Sequence, residues 1–106
     1  MSLVHAAVVG ASGYSGEELI KYLAGHPRVK LGKVTSRQYA GKSVGEMLPR
    51  VRPFLSEPLY FETSDPAALA ADKSLEVVFL ALPHGVAASY AIPLIESGKR
   101  VIDLSA

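Results

Sequence analysis

The sequence predicts an α/β fold in which helices cover both faces of a doubly wound parallel sheet. Two observations support this prediction. An apolar strand, a turn with three glycines and the start of a helix follow one another within residues 4–20. Farther along the chain, short runs rich in Val, Leu and Ile alternate with segments of helical composition. Right-handed crossovers between such strands give the order 3-2-1-4-5 of a Rossmann-type sheet.

The first strand covers residues 4–9 and is followed by a glycine turn with the spacing G-x-x-G-x-x-G. This turn shares the layout of the dinucleotide-binding pattern G-x-G-x-x-G, although not every letter. Gly10 is expected to reverse the chain sharply, Gly13 to let the backbone approach a pyrophosphate, and Gly16 to let the helix pack closely on the strand. The alternative is an ordinary strand-turn-helix corner whose glycines serve only the tight turn.

The first helix is predicted to begin with a capping box, in which Ser15 and Glu18 satisfy backbone N–H groups. The N–H groups just before this box would then be free to bind an anion at the positive end of the helix dipole. Apolar side chains recur at helical spacing, at Leu19, Ile20 and Leu23. Gly25 followed by Pro27 predicts the end of the helix. The acidic pair Glu17 and Glu18 fits helix-start chemistry better than general acid–base catalysis.

The remaining elements are predicted in chain order. They are a strand over residues 29–36, a loop with one short helix at 44–48, a short strand at 59–62, a helix over 67–71 that Ser64, Asp65 and Pro66 introduce, a buried strand at 76–82, a helix at 86–97 and a final strand at 100–104. Pro93 predicts a kink or two short helices, and Gly98 predicts the end of this helical segment. Because the first and fourth strands are neighbours in the predicted order, residues 10–16 and 82–85 face one crevice.

The bulk composition predicts one small domain over residues 1–106 with a core of ordinary size, since 49% of the residues are hydrophobic. The net charge of +1, from 11 basic and 10 acidic residues, gives no reason to expect nucleic acid or an anionic membrane as a partner. The chain has no cysteine. This absence excludes a disulfide framework, a thiolate metal site and a cysteine nucleophile among these residues.

Two segments bear on localisation. No positively charged segment precedes the first apolar run, which breaks at Gly10, so a secretory signal is not expected and the cytoplasm is the predicted compartment. From Val77 to Ile95 the chain has no Asp, Glu, Lys or Arg, which meets the length of a membrane span. The turn-forming and helix-breaking residues in this run instead predict two buried elements joined by a turn.

The residues after the second strand indicate which dinucleotide the crevice binds. An NAD-selective site carries a carboxylate about 20 residues beyond the glycine turn, where it accepts hydrogen bonds from the ribose 2′-hydroxyl. This chain has Thr35, Ser36 and Arg37 there instead. A guanidinium and a hydroxyl suit a 2′-phosphate, so the chemistry favours NADP as the cofactor. The alternative is that Arg37 is a solvated side chain at a strand end.

A second nucleotide motif lies close by. Residues 36–43 follow a strand and end in Gly41-Lys42-Ser43, so they match the phosphate loop G-x-x-x-x-G-K-S except at its first glycine. Ser36 stands where that glycine is required, and the bulky residues 37–39 crowd a loop whose amides have to converge on phosphate. The sequence therefore disfavours a nucleotide triphosphatase without excluding one.

Taken together, these residues resemble the N-acetyl-gamma-glutamyl-phosphate reductases, which belong to the same group as the aspartate-semialdehyde dehydrogenases. The matching segments are residues 10–19 (GASGYSGEEL), 35–41 (TSRQYAG), 81–85 (ALPHG) and 101–106 (VIDLSA). The resemblance implies that Gly10, Ser12, Gly13, Tyr14, Ser15 and Gly16 hold the pyrophosphate of NADP. It further implies that Ser36 and Arg37 hold the adenosine end, and that Leu82, Pro83, His84 and Gly85 line the path toward the nicotinamide.

The resemblance also implies a reaction. The family reduces N-acetyl-gamma-glutamyl phosphate to N-acetylglutamate semialdehyde in arginine biosynthesis, with NADPH as the hydride donor. A cysteine thiolate displaces phosphate and a histidine assists proton transfer. The family carries both residues in a downstream domain, and His84 matches a cofactor-side position, so no catalytic residue and no metal ligand are predicted in this chain. A stand-alone NADP-binding module without chemistry is the alternative.

The full-length family member is expected to form a homo-oligomer. Because the family's chain returns to this domain after its catalytic portion, the isolated 106 residues are expected to expose apolar surface on residues 77–82 or on the final strand. Marginal stability or self-association would follow.

Overall fold

A computed structural model describes residues 3–11, 13–83 and 85–104 of the chain. Five parallel strands form one sheet in the order β3-β2-β1-β4-β5, which confirms the predicted fold class and strand order. The strands are β1 (Val4–Val9), β2 (Val29–Thr35), β3 (Phe61–Glu62), β4 (Val77–Leu80) and β5 (Arg100–Asp103). The helices are α1 (Tyr14–Ala24), α2 (Val44–Met47), α3 (Pro66–Ala71) and α4 (Ala87–Glu96), and a 3₁₀ turn at Arg52–Phe54 was not predicted.

The central strand β1 supplies both hydrophobic cores, because successive side chains of a strand point to opposite faces of the sheet. Ala7 and Val9 pack on the side of α3 and α4, while Val8 packs on the side of α1 and α2. Residues Ala6 to Val9 are at most 1% exposed. This burial on both faces explains why β1 reads as a continuous apolar run rather than an alternating one.

The prediction that a capping box of Ser15 and Glu18 begins α1 is wrong. The helix begins at Tyr14 with Gly13 as its N-cap, and no side chain caps it. Gly13 has the extended backbone that an N-cap needs, whereas Ser15 already lies in the first helical turn. Glu18 forms an ion pair with Lys21 at 2.8 Å instead of reaching back to the backbone.

The segment that contains Pro93 is a single helix, so the prediction of two short helices is wrong. Pro93 removes one N–H from the hydrogen-bond ladder of α4 but leaves the rest in place. Tyr90 and Leu94, which are 3% and 0% exposed, hold the helix against the sheet. Tertiary packing therefore outweighs the local cost of the proline. The helix ends as predicted, with Gly98 at a φ of 90°.

The charge-free run over residues 77–95 contains β4 and most of α4, which confirms two elements joined by a turn. Over residues 3–11, 13–83 and 85–104, the helices are too short or too polar to cross a membrane. Strand β4 lies between β1 and β5, while the edge strand β5 leaves Ile102 and the following Leu104 44% and 45% exposed. The apolar exposure expected from the sequence thus lies on the final strand and not on β4.

An ion pair joins the end of α3 to the sheet. The Asp72 carboxylate accepts hydrogen bonds from the N–H and the hydroxyl of Ser74 at 2.9 and 2.6 Å, and it lies 3.0 Å from Nζ of Lys33 on β2. The hydrogen bonds from Ser74, followed by the interaction with Lys33, lower the pKa of Asp72 from 3.8 to about 2. The ionised form of this carboxylate is therefore favoured by folding.

Asp72→Asn is expected to lower the free energy of unfolding by about 1 to 2 kcal/mol at neutral pH. Because the pKa of Asp72 is lowered by folding, its contribution is present above about pH 4 and is lost as the pH falls toward 2. Urea unfolding of both proteins at several pH values measures this difference.

Glu46→Gln is the control, since in the described part of the chain the Glu46 carboxylate makes no hydrogen bond or ion pair. A difference between Asp72→Asn and the wild type that stayed constant from pH 7 to pH 3 would contradict this assignment.

Candidate functional site

The glycine turn after β1 and the turn after β4 touch at the carboxyl edge of the sheet. Gly10 has a φ of +80°, and a Cβ at this position would lie 2.6 Å from the carbonyl oxygen of Ala81 and 2.9 Å from Cδ2 of Leu82. On the other side, the N–H groups of Gly10 and Ala11 donate to the Thr35 carbonyl at 3.1 and 2.9 Å. The predicted meeting of the two turns, and the sharp reversal at Gly10, are confirmed.

The other two glycines of the turn have different surroundings. A Cβ on Gly16 would lie 2.7 Å from Cα of Ala11, so this glycine allows the first turn of α1 to approach the chain that leaves β1. A Cβ on Gly13 would meet no atom within 4 Å, and its φ of −82° is open to any residue. The space in front of Gly13 fits the predicted approach of a pyrophosphate, and the first N–H groups of α1, which have no partner within the helix, border it.

A cavity of about 470 Å³ opens between the two turns, within the size range of small-molecule sites. Six of the predicted residues line it: Gly10, Gly13, Ser36, Arg37, Leu82 and Pro83. Five further residues line it that the sequence did not single out: Gln38, Ser64, Ala81, Val86 and Tyr90.

The other predicted residues lie outside this lining or outside the described part of the chain. Tyr14 and Ser15 are exposed in the first turn of α1, Gly16 is buried against Ala11, and Gly85 is an exposed turn residue with a φ of 91°. Ser12 and His84 lie outside the described residues. Tyr14 is 71% exposed.

Ser36 and Arg37 form the end of the cavity nearest β2. Ser36 is buried, and its hydroxyl accepts a hydrogen bond from the Tyr39 N–H at 3.1 Å. The Ser36 N–H donates to the Glu62 carbonyl at 3.0 Å, which holds the loop against β3. Arg37 is exposed and, in the described part of the chain, its guanidinium makes no ion pair. This guanidinium is therefore available to an anion in the cavity.

Ser64 connects the loop after β3 to the glycine turn. Its hydroxyl donates to the Thr35 hydroxyl at 2.7 Å, and the carbonyl of the same Thr35 holds Gly10 and Ala11. The sequence pattern gave Ser64 a role only at the start of α3. No local signal could have shown this contact, because the two hydroxyls are 29 residues apart and meet only in the folded sheet.

In the described part of the chain, Glu17 and His26 make contacts that belong to the fold. Glu17 is 8% exposed, and its carboxylate accepts a hydrogen bond from Nη2 of Arg50 at 2.7 Å. Nδ1 of His26 accepts the N–H of Arg28 at 3.0 Å. In the parts of the chain that the structure describes, no cluster of three His, Cys, Asp or Glu side chains could hold a metal ion.

The alternative phosphate loop over residues 36–43 is contradicted by its hydrogen bonds. The Gly41 N–H donates to the Phe61 carbonyl at 2.7 Å, and the Val44 N–H donates to the Leu59 carbonyl at 2.9 Å. These two backbone amides, which a phosphate loop would direct at the phosphate, are thus bonded to carbonyl groups of residues 59 and 61 in and just before β3. The helix that follows, α2, spans only the four residues Val44–Met47.

A larger cavity, of about 860 Å³, lies at the opposite edge of the sheet, where Val4, Val77 and Arg100 begin their strands. Ligands of open α/β sheets bind at the carboxyl ends of the strands, at the point where the strand order reverses. The smaller cavity has that position, between β1 and its neighbours β2 and β4, so it is the candidate site.

The comparison with protein families gives one match that covers residues 5–106, to the family described as semialdehyde dehydrogenase, NAD binding domain. Among curated proteins, N-acetyl-gamma-glutamyl-phosphate reductase of Akkermansia muciniphila is 57% identical over 106 residues, which are 100% of this chain and 30% of that protein. The enzyme of the same name from Nitrosococcus oceani is 44% identical over 104 residues, which are 98% of this chain and 29% of that protein. The chain thus spans less than a third of these relatives' length, and the resemblance noted from its motifs is confirmed.

Solved structures show the same fold. Aspartate semialdehyde dehydrogenase from Candida albicans, crystallised with NADP, superimposes with a TM-score of 0.73 and 22% identity over 98% of this chain and 30% of that one. Aspartate semialdehyde dehydrogenase II from Vibrio cholerae gives a TM-score of 0.74 and 16% identity over 99% of this chain and 31% of that one.

Gly16→Ala is expected to lower the free energy of unfolding by about 1 to 3 kcal/mol, because the new methyl group would overlap the backbone of Ala11. Gly13→Ala is the matched control, since its methyl group would enter open space at a permitted φ, and we expect a change within about 0.5 kcal/mol. Urea unfolding monitored by circular dichroism measures both. Equal losses of stability in the two variants would contradict the different roles assigned to these glycines.

Proposed function

The chain belongs to the semialdehyde dehydrogenase NAD-binding family, and from this membership we propose that it binds NADPH for an acyl-phosphate reductase. The reaction proposed is the reduction of N-acetyl-gamma-glutamyl phosphate to N-acetylglutamate semialdehyde in arginine biosynthesis, the activity named for the relatives that are 57% and 44% identical. These relatives are about three times as long as the 106 residues. The reaction and its substrate are therefore proposed for the enzyme that contains this chain.

The observation that carries the proposal is the cavity at the junction of β1, β2 and β4, with an anion-binding group at each of two positions. At one position, Gly13 leaves space in front of the first turn of α1, whose N–H groups suit a pyrophosphate. At the other position, the Arg37 guanidinium and the Ser36 hydroxyl suit the 2′-phosphate that distinguishes NADP from NAD. The residues present therefore fit the cofactor.

The residues of this chain hold and orient the cofactor and do not supply a nucleophile. Bound NADPH supplies a hydride for the acyl carbonyl. The turn over residues 10–16 would hold the pyrophosphate, and Arg37 and Ser36 would hold the phosphorylated ribose, while Leu82 and Pro83 supply apolar lining of the same cavity. The 106 residues contain no cysteine, so they do not supply the thiolate that a thioester mechanism requires.

We also propose the domain role, the compartment, the assembly and the partners of the enzyme. Residues 1–106 are taken as the NADP-binding domain, acting together with a catalytic portion that these residues do not contain. The cytoplasm as the compartment and a homo-oligomer as the assembly also belong to the proposal, as do an acyl-phosphate substrate and the absence of nucleic-acid and membrane partners.

Arg37→Ala is expected to weaken NADPH binding about 10- to 100-fold, since a hydrogen-bonded charge pair of this kind contributes about 1.5 to 3 kcal/mol. NADH binding is expected to change less than about 3-fold, because NADH has no 2′-phosphate. Parallel fluorescence titrations with both nucleotides measure the two constants.

Arg28→Ala is the matched control, because Arg28 is exposed just before β2, at the end of that strand opposite to the end that reaches the cavity. Its NADPH affinity should equal that of the wild type. Equal weakening of NADPH and NADH in Arg37→Ala would show that this side chain does not select the 2′-phosphate.

The 106-residue chain is expected to bind NADPH and to catalyse no phosphate-dependent reduction of NADP with N-acetylglutamate semialdehyde, because it has no cysteine. Absorbance of the reduced nicotinamide, followed over hours at high protein concentration, tests this expectation. Turnover above the protein-free rate would contradict the assignment of the nucleophile to another part of the enzyme.

A further inference from the structure

Tyr90 is a buried residue of α4 that reaches the candidate site. Only 3% of the residue is exposed, and its ring packs in the core formed by β1, β4, α3 and α4, beside Leu80 and Leu94. Tyr90 also lines the cavity of about 470 Å³. The ring therefore has a structural role, while part of the side chain faces the space that a ligand would occupy.

The hydroxyl of Tyr90 has no hydrogen-bond partner in the described part of the chain. Over those same residues, no side-chain oxygen that is sealed from solvent lacks a partner. The hydroxyl therefore belongs to the small accessible part of Tyr90, a residue that lines the cavity. Because a buried phenol nearly always has a hydrogen-bond partner, an unpartnered one at a cavity wall indicates a group that binds a ligand.

The residues that share the cavity with Tyr90 indicate which half of NADP would lie beside its hydroxyl. Arg37 and Ser36 lie in the same cavity and suit the 2′-phosphate, as proposed above. The purine base is attached to the ribose carbon adjacent to the one that carries this phosphate, so a base bound with that phosphate lies within a few ångströms of Arg37 and Ser36 and can enter the same cavity. The rest of the lining contains Leu82, Pro83 and Val86, which suit the apolar faces of a flat ring.

We propose that the Tyr90 hydroxyl hydrogen-bonds the edge of the adenine base and that Leu82, Pro83 and Val86 contact its faces. The phenol can donate to a ring nitrogen or accept from the exocyclic amino group. This inference rests on the proposed function. It assigns Leu82 and Pro83 to the adenine, whereas the family resemblance implied that they line the path toward the nicotinamide.

Tyr90→Phe tests the inference, because it removes the hydroxyl and keeps the ring in the core. The wild type and the variant are titrated with 2′,5′-ADP, which contains the adenine half of NADP, with reduced nicotinamide mononucleotide and with NADPH. We expect the variant to bind 2′,5′-ADP and NADPH about 3- to 10-fold more weakly. The mononucleotide affinity, the ratio of NADPH to NADH affinity and the thermal midpoint of the free protein should not change.

Tyr22→Phe is the matched control, since Tyr22 is 71% exposed on α1 and does not line the cavity. Its affinities should equal those of the wild type. If Tyr90→Phe does not fold, the ring carbons of Tyr90 in labelled wild-type protein decide the question. Their resonances should shift on saturation with 2′,5′-ADP and stay in place with the mononucleotide.

Three other results of these titrations would each overturn one part of the argument. Unchanged 2′,5′-ADP affinity in Tyr90→Phe, with an NADPH preference that still depends on Arg37, overturns the role of Tyr90 and leaves the proposed function standing. A loss confined to the mononucleotide places the hydroxyl on the nicotinamide half and overturns the adenine assignment. A folded wild type that binds none of the three nucleotides overturns the proposed function, and this inference with it.

Discussion

The close approach of two backbones at Gly10 is the constraint on which the candidate site depends. Gly10 lies against the Ala81 carbonyl on one side and donates its N–H to the Thr35 carbonyl on the other. The contact with Ala81 needs a residue without a side chain, and the φ of +80° favours glycine at the same position. The two contacts bring the ends of β1, β2 and β4 together, so that loops far apart in sequence enclose one cavity.

The floor of the cavity consists of buried strand ends, and its polar groups are a guanidinium and several hydroxyls. Thr35 fastens this floor by its carbonyl to the glycine turn and by its hydroxyl to Ser64. The exposed guanidinium of Arg37 supplies charge, while the buried side chains of Ser36 and Tyr90 supply hydroxyl groups. These groups suit an elongated, anionic and partly aromatic molecule, such as the proposed dinucleotide.

Two carboxylates make ion pairs within the fold. Glu17 pairs with Arg50 across the first helix, and Asp72 pairs with Lys33 at the end of α3. Neither acid lines the cavity between the two turns. No carboxylate is among the described residues that line the cavity, so those residues would present no like charge to a phosphate bound there.

The sequence by itself determined the fold class, the strand order and the sharp glycine turn after the first strand. Each of these follows from a local pattern, because apolar runs and glycine spacing act over a few neighbouring positions. Element ends depended on more than local pattern: α1 begins at Tyr14 without a capping box, and α4 continues through Pro93 because its buried face is held against the sheet. Only the tertiary structure brought Ser64 and Tyr90 to the cavity, since each reaches it through contacts between elements that are far apart in the chain.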